Sequence, residues 1–330
     1  MFNISTIRSG SISLEAAGLI ALADLSTIAQ RTALTGTATC LDIFFLAPGI
    51  HCQQSAAEIN RGELPSAGAM TSGYVFRIEN PATVSYLQSI GRTGHLVTTR
   101  VKKKPHYDAY LRPLARHLQG FFITGVIPTV LYILGPVLTA TVIILICVIR
   151  DWWALGVMGM LIVARLINVV IIRRRSKKGW KGALEPGVYG DLFIVLSQDR
   201  WIRMRGLVDD LKTVTAGQWL RDTTTFESYG ESVATLLVYV SAALAGNAST
   251  IGSLLIACLL LVSVGLLGLC NSWTNRLQMF DCIVSVEGKP VSYERRMDLV
   301  NELVAESNRD DWALGMGLIT KDGLNTTAVV

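Results

Sequence analysis

Charge is scarce in this chain of 330 residues: 17% of its side chains are Asp, Glu, Lys or Arg, against about 25% in soluble domains. That shortage excludes an ordinary soluble composition. Catalytic signatures are missing as well. No G-x-S-x-G, H-E-x-x-H, P-loop or G-x-G-x-x-G occurs, so nothing points to the hydrolase, zinc-protease or nucleotide chemistry built on those frames. Of the six cysteines, Cys40, Cys52, Cys147, Cys258, Cys270 and Cys282, no two fall at C-x-x-C spacing, and they read as free thiols. The four histidines are His51, His95, His106 and His117. Gly94, Pro105 and Pro113 keep one helix from aligning the last three, so no metal cluster and no cofactor is expected. Met1 to Gly10 lacks the pattern of a cleaved signal, which leaves targeting to the first apolar segment.

What the chain has instead is apolar length. Phe121 to Ile149 is nearly free of charge, and after Arg150 and Asp151 a second run extends from Trp152 to Ile172. Each reaches the roughly 20 residues that cross a bilayer as a helix. The mean hydropathy of +0.43 agrees. A second pair runs from Val233 to Ala245 and from Ile251 to Leu269; the third helix is short and is expected to start earlier, through Ser228 to Glu231. Pro128 and the Gly135-Pro136 pair predict a bent first helix. Trp152 and Trp153 favour the headgroup level, which makes Arg150-Asp151 a tight interfacial corner. Small residues recur on the second pair: Ser241, Ala242, Ala245, Gly246, Gly252, Ala257, Ser263, Gly265 and Gly268. They allow close helix approach, within the chain or in a homo-oligomer.

Basic residues set the orientation. Arg100, Lys102, Lys103, Lys104, Arg112 and Arg116 precede the first helix, Arg173, Arg174, Arg175, Lys177 and Lys178 follow the second, and the two corners carry only Arg150. Both termini and the central insert are therefore expected in the cytosol, and Asn3 and Asn325, both in N-x-Ser/Thr sequons, are expected to carry no glycan. The run Arg173 to Lys178 also suits anionic lipid headgroups, at about 1 kcal/mol per basic residue. A basic stripe interleaved with aromatics is lacking, so no nucleic acid is expected as a partner.

The organisation that follows is a polar leader over 1–117, a first transmembrane hairpin over 118–173, an insert over 174–230, a second hairpin over 231–271 and a tail over 272–330. The leader offers one helix, Leu14 to Thr35, and an apolar knot, Ile43 to Ala47. In the insert, Asp191 to Ser197 and Trp201 to Leu207 read as a hairpin about Gln198-Asp199-Arg200, with Ile202 and Met204 on one face and Trp201, Arg203 and Arg205 on the other. Leu207, Leu211 and Val214 predict a helix ending near Gly217. In the tail, Met279 to Val286 and Pro290 to Tyr293 predict a second hairpin about Glu287-Gly288-Lys289, and Met297, Val300, Leu303 and Val304 line a helix. A lone hairpin is marginal in water, so insert and tail are expected to share one core.

Two polar residues inside the second run are the candidate site. Arg165 and Asn168 neighbour each other across one turn, and ionisable groups at that depth are costly and commonly functional. About two turns separate Arg165 from Arg173, which favours a snorkelling anchor at the interface; a buried polar site is the alternative. Asp209-Asp210 and Asp310-Asp311 resemble paired magnesium ligands, but neither has a further acid one turn on, and helix capping accounts for them better.

The stretch from Asp151 to Leu220, with GWKGALEPG at 179–187 and SQDRWIRMRGLVDDLKTVTAGQWLRD at 197–222, resembles an uncharacterised group of polytopic membrane proteins of filamentous fungi over roughly residues 100 to 320. That resemblance implies a eukaryotic host and an endomembrane or plasma-membrane location, and no activity. The sequence thus predicts an α-helical integral membrane protein with four transmembrane helices as two hairpins and a small cytosolic α+β unit. Its expected role is scaffolding, regulation or interaction rather than enzymatic. A membrane-embedded enzyme of lipid or secondary metabolism is the alternative, and a transporter or transporter subunit the third.

Overall fold

The computed structural model describes residues 16–104 and 125–320. The sequons at Asn3 and Asn325, His106, His117, Arg112, Arg116 and the start of the first apolar run lie outside them.

The described part of the leader, residues 16–104, is folded in two parts. Where one helix was expected from Leu14 to Thr35 there are two, α1 (Ala16–Ala21) and α2 (Thr27–Thr35), separated at Asp24-Leu25-Ser26. Two 3-10 segments follow, Cys40–Phe44 and Ile50–Glu58, flanking the apolar knot. The chain then forms strands β1 (Ser66–Ala69) and β2 (Val75–Arg77) and helix α3 (Pro81–Ile90). Asn80 starts α3 by accepting the N–H groups of Ala82 and Thr83, with Pro81 in the first turn. Strand β3 (His95–Lys103) closes this part.

Four helices are long and apolar enough to cross a membrane. The first two are α4 (Val126–Ile149), with Pro136 inside it, and α5 (Trp152–Arg175). The insert supplies β4 (Tyr189–Leu196), β5 (Arg200–Leu207) and α6 (Val208–Thr215). Then come α7 (Thr225–Leu244) and α8 (Thr250–Ser272). A reciprocal pair, Thr224 and Glu227, caps α7, and that is why the helix starts well before its apolar stretch.

The helices do not pack as the two sequential hairpins. α5 lies along α7 and α4 along α8, whereas α7 and α8 hardly touch although a single 3-10 turn joins them. The space this leaves is filled by the leader: α1 packs on α7 and α8, α2 on α8, and the 3-10 segments on α4, α5 and α7. Phe45, Leu46 and Ala47 are entirely buried there. Close approach depends on glycine at two points. A Cβ on Gly18 would stand 2.5 Å from the Ala242 carbonyl oxygen, and one on Gly135 would fall within the Phe45 ring. Irregular backbone between apolar helices is tolerated only where protein encloses it, and here the four helices do so.

The second part of the leader joins the insert and the tail in one eight-stranded sheet. The tail adds β6 (Arg276–Met279), β7 (Cys282–Val286) and β8 (Val291–Ser292), then helices α9 (Arg296–Ser307) and α10 (Asp311–Gly315). The strand order is β2-β1-β4-β5-β3-β7-β6, with β8 also on β3. β4 and β5 form the expected antiparallel hairpin, turning on Gln198 and Asp199, both at positive φ. The tail differs from expectation: its hairpin is β6–β7, turning at Phe280 (φ 51°), and the Glu287–Lys289 turn instead delivers β8 to β3. Insert and tail thus meet through β3, which is parallel to β5 and antiparallel to β7.

Each face of the sheet is covered. One carries Ile202, Met204, Leu192 and Ile194 against α3, α6 and Trp219, in a core that continues into Val169 and Ile172 of α5. The other sets Phe193 and Trp201 against Leu299, Val300 and Leu303 of α9 and Trp312 of α10.

Candidate functional site

The most polar interior of the molecule lies where the leader enters the bundle, at its sheet-side end. Arg165 of α5 is 3% exposed and Asn168 is 2% exposed. The anchor expectation for Arg165 is therefore corrected: its side chain turns into the protein. Its Nε donates to the Asp42 carbonyl at 2.9 Å, Nη1 donates to Gln53 Oε1, and Nη2 lies 3.9 Å from the Asp42 carboxylate. Asn168 donates to the carbonyl of Ile50 at 2.9 Å. A snorkelling side chain needs a route to water, and the two 3-10 segments block it.

Asp42 is the hub. Its carboxylate accepts from the Tyr132 hydroxyl at 2.6 Å, the Thr39 hydroxyl at 2.9 Å and the Thr39 N–H at 2.5 Å. Gln53 in turn donates to Thr32 at 3.2 Å. Arg31, buried on α2, stands over the Tyr132 ring at 5.1 Å and donates to Thr274 at 3.3 Å, and Phe45 stacks on the same ring at 5.4 Å. Three donors hold the carboxylate, and each guanidinium has oxygen or π partners. A buried carboxylate held by three fixed donors sets the geometry around it.

The basic run after Ile172 divides. Arg175 is buried, donating to the Arg221 carbonyl at 2.8 Å and to Glu231 at 3.1 Å, so it does not face lipid as expected. Lys178 pairs with Asp281. Arg173, Arg174 and Lys177 are exposed. Arg173 borders a cleft of about 340 Å³ lined also by Thr35 to Cys40, Lys104, Ser176 and Phe280.

A second cleft, of about 600 Å³, opens on the far face of the sheet beside Arg100, Arg203, Arg205 and Arg309. Arg203 binds Asp191 at 2.6 Å and Glu306 at 2.6 Å, and Arg205 binds the same two at 3.1 and 2.9 Å. The paired acids act locally: Asp209 accepts the N–H of Glu185 at 3.0 Å, Lys103 stands 3.7 Å from buried Asp210, and Asp311 pairs with Arg309. His95 contacts the Thr93 carbonyl at 2.8 Å, and Cys52 donates to Asp24 at 2.8 Å. Among the described residues no three His, Cys, Asp or Glu side chains converge as metal ligands. Of the small residues on α7 and α8, Ser241, Ala245, Gly252, Ala257 and Ser263 pack inside, whereas Gly265 and Gly268 meet open space.

Sequence reasoning found Arg165 and Asn168 but none of their partners. Asp42 and Gln53 lie more than a hundred residues upstream in a stretch without helical or strand periodicity, and no local signal links them.

These features define a class: four apolar helices compatible with an integral membrane protein, joined to a separate sheet-containing region. Comparison of the chain with protein-family models, with curated proteins and with solved structures gives no match.

Proposed function

We propose that this chain is a non-enzymatic membrane scaffold, spanning the bilayer four times and holding its sheet at the cytosolic surface. The observation that carries the reading is the buried, hydrogen-bonded Asp42–Arg165 clamp. A transport pathway or a catalytic site beside Arg165 needs space for a solute, and exposures of 3% and 2% at Arg165 and Asn168 leave almost none. Continuity of the sheet core with Val169 and Ile172 of α5 supports a rigid join, which suits a platform better than a gate. The cytosolic side is supported by exposed Arg173, Arg174 and Lys177 at the sheet-side end of α5, with Arg150 the only basic residue at the far corners.

The test compares function with abundance. In a host from which the gene is deleted, Asp42→Asn, Gln53→Leu and Arg165→Leu are expected to lose complementation only as far as they lose folded protein from the membrane fraction. Lost complementation at wild-type abundance would overturn the scaffold reading and give the clamp a chemical role.

A further inference from the structure

The cleft between the Thr35–Cys40 loop, the end of α5 and the Phe280 turn holds two cations with no carboxylate partner among the described residues. These are Lys104 and Arg173; the lining has no carboxylate, and its four hydroxyl residues, Thr35, Thr37, Thr39 and Ser176, are bonded within the protein. The described partner of Arg173 is a thiol, Cys40 Sγ at 2.7 Å. Lys104 makes no ion pair among the described residues, and the carboxylate of neighbouring Asp281 is engaged by Lys178. Burial lowers the Lys104 pKa, with Asp281 opposing, so an added negative charge in the cleft would be favourable to it. The ends of α2 and α5 also border this space. Each helix C-terminus carries roughly half a negative charge, so two cations leave about one positive charge uncompensated.

Size and position narrow the ligand. About 340 Å³ is at the low end of small-molecule pockets, which run roughly 300–1,000 Å³, and admits a headgroup rather than a whole lipid. Arg173 directly follows Ile172, the last residue of the second apolar run, which puts it at headgroup level if α5 spans. Guanidinium and ammonium donors bordering one cleft match phosphate oxygens. Thr37 and Ser176, hydroxyl to hydroxyl at 2.6 Å, fix the loop to α5 and so set the width of the mouth.

We propose that this cleft receives the phosphate of an anionic phospholipid headgroup, held by Arg173 and Lys104. The proposal rests on α5 being a membrane span and is independent of whether the chain is a scaffold. Free phosphate shares the chemistry; the depth of Arg173 favours the lipid.

The experiment uses the full chain in bilayer nanodiscs of phosphatidylcholine with or without phosphatidylserine, and counts lipids retained on the protein by native mass spectrometry. Retention of phosphatidylserine is expected for the wild type, with a loss of about tenfold or more in Lys104→Gln/Arg173→Gln and less than about twofold in Arg174→Gln/Lys177→Gln, whose charges lie outside the cleft. The charge-preserving Lys104→Arg/Arg173→Lys variant should retain most of the binding. If the double Gln variant fails to accumulate, Arg173→Gln alone serves, since that side chain is exposed and its loss removes only a thiol contact. Equal losses in the cleft and control variants would reject a specific site in favour of diffuse surface attraction. Saturable binding of inorganic phosphate in phosphatidylcholine discs, with no preference for phosphatidylserine, would reject the lipid as its source.

Discussion

Asp151 ties the two far corners of the bundle together through Ser249. One carboxylate oxygen accepts the Ala154 N–H at 3.0 Å and so starts α5; the other accepts both the N–H and the hydroxyl of Ser249, at 2.8 and 2.6 Å. Ser249 Oγ then accepts the Gly252 N–H at 3.0 Å and starts α8. Two helix beginnings that are about a hundred residues apart in sequence share one side chain, and Gly252 is required because a Cβ there would strike it.

Asp151→Ala is expected to cost about 2 kcal/mol, the upper range for a lost helix cap, seen as a lower unfolding midpoint in detergent. The pH dependence has a definite sign. Burial alone would raise this carboxyl, but the donors from Ala154 and Ser249 outweigh burial and hold it below its ordinary 3.8. A depressed carboxyl contributes stability that is complete above the ordinary value and lost as pH falls through the folded one. The difference between wild type and Asp151→Ala should therefore stay constant from pH 7 to about 5 and shrink only below about 4. A difference that shrinks already between pH 7 and 5 would refute this account of the corner.

Arg165→Lys is expected to fail where the sequence reading had it tolerated. One ammonium cannot serve the Asp42 carbonyl, Gln53 and the Asp42 carboxylate from the same position, and a loss of about 1–3 kcal/mol follows. Arg165→Leu leaves Asp42 without its cation and should cost about 3–5 kcal/mol. Thermal unfolding of the two variants, ranked wild type, Lys, Leu, is the check; a Leu variant as stable as wild type contradicts the clamp.

Gly135→Ala pushes a methyl into the Phe45 ring. An overpacking cost of about 1–3 kcal/mol is expected, with the leader loosened first, so that protease cuts within residues 36–58 before it cuts the sheet. Shortening the ring in Phe45→Leu should relieve part of that cost in the double variant. Simple additivity of the two losses would show that the residues do not meet.

The parts of the fold legible in the sequence were those with local signals. The four apolar runs, the β4–β5 hairpin with its two faces, and the early start of α7 all follow from periodicity, turn residues and length. The leader escaped because its structure is imposed from outside. Ser66 to Ala69 reads Ser-Ala-Gly-Ala, which has little strand preference of its own, and it is a strand because β4 lies beside it. The tail register was missed because the chain turns at Phe280, a bulky residue at φ 51°, where Gly, Asn or Asp would have marked a turn. Arg165 stood out as costly in an apolar run; its partner could not be read because Asp42, whose carbonyl it bonds, lies 123 positions away.

The tail covers the insert through its helices rather than its strands. Deleting residues 294–330 while keeping β6 to β8 should therefore uncover Phe193 and Trp201, which pack on Trp312 and the α9 leucines, and remove Glu306 from Arg203 and Arg205. Faster proteolysis between residues 189 and 207 is the expected readout. Unchanged protection would mean that the sheet holds without that layer.

The leader's seat in the bundle also orders events in time. Residues 16–58 are synthesised well before α7 and α8, on which they pack. At about 5–20 residues per second, the roughly 200 residues in between take about 10–40 s to synthesise. Until then α1 and α2 lack helices that they pack on, and α5, once complete at Arg175, stands without its neighbour α7. Assembly of the whole bundle must wait for translation to pass residue 272, so a truncation upstream of that point leaves α4, α1 and α2 without the helix they share, α8.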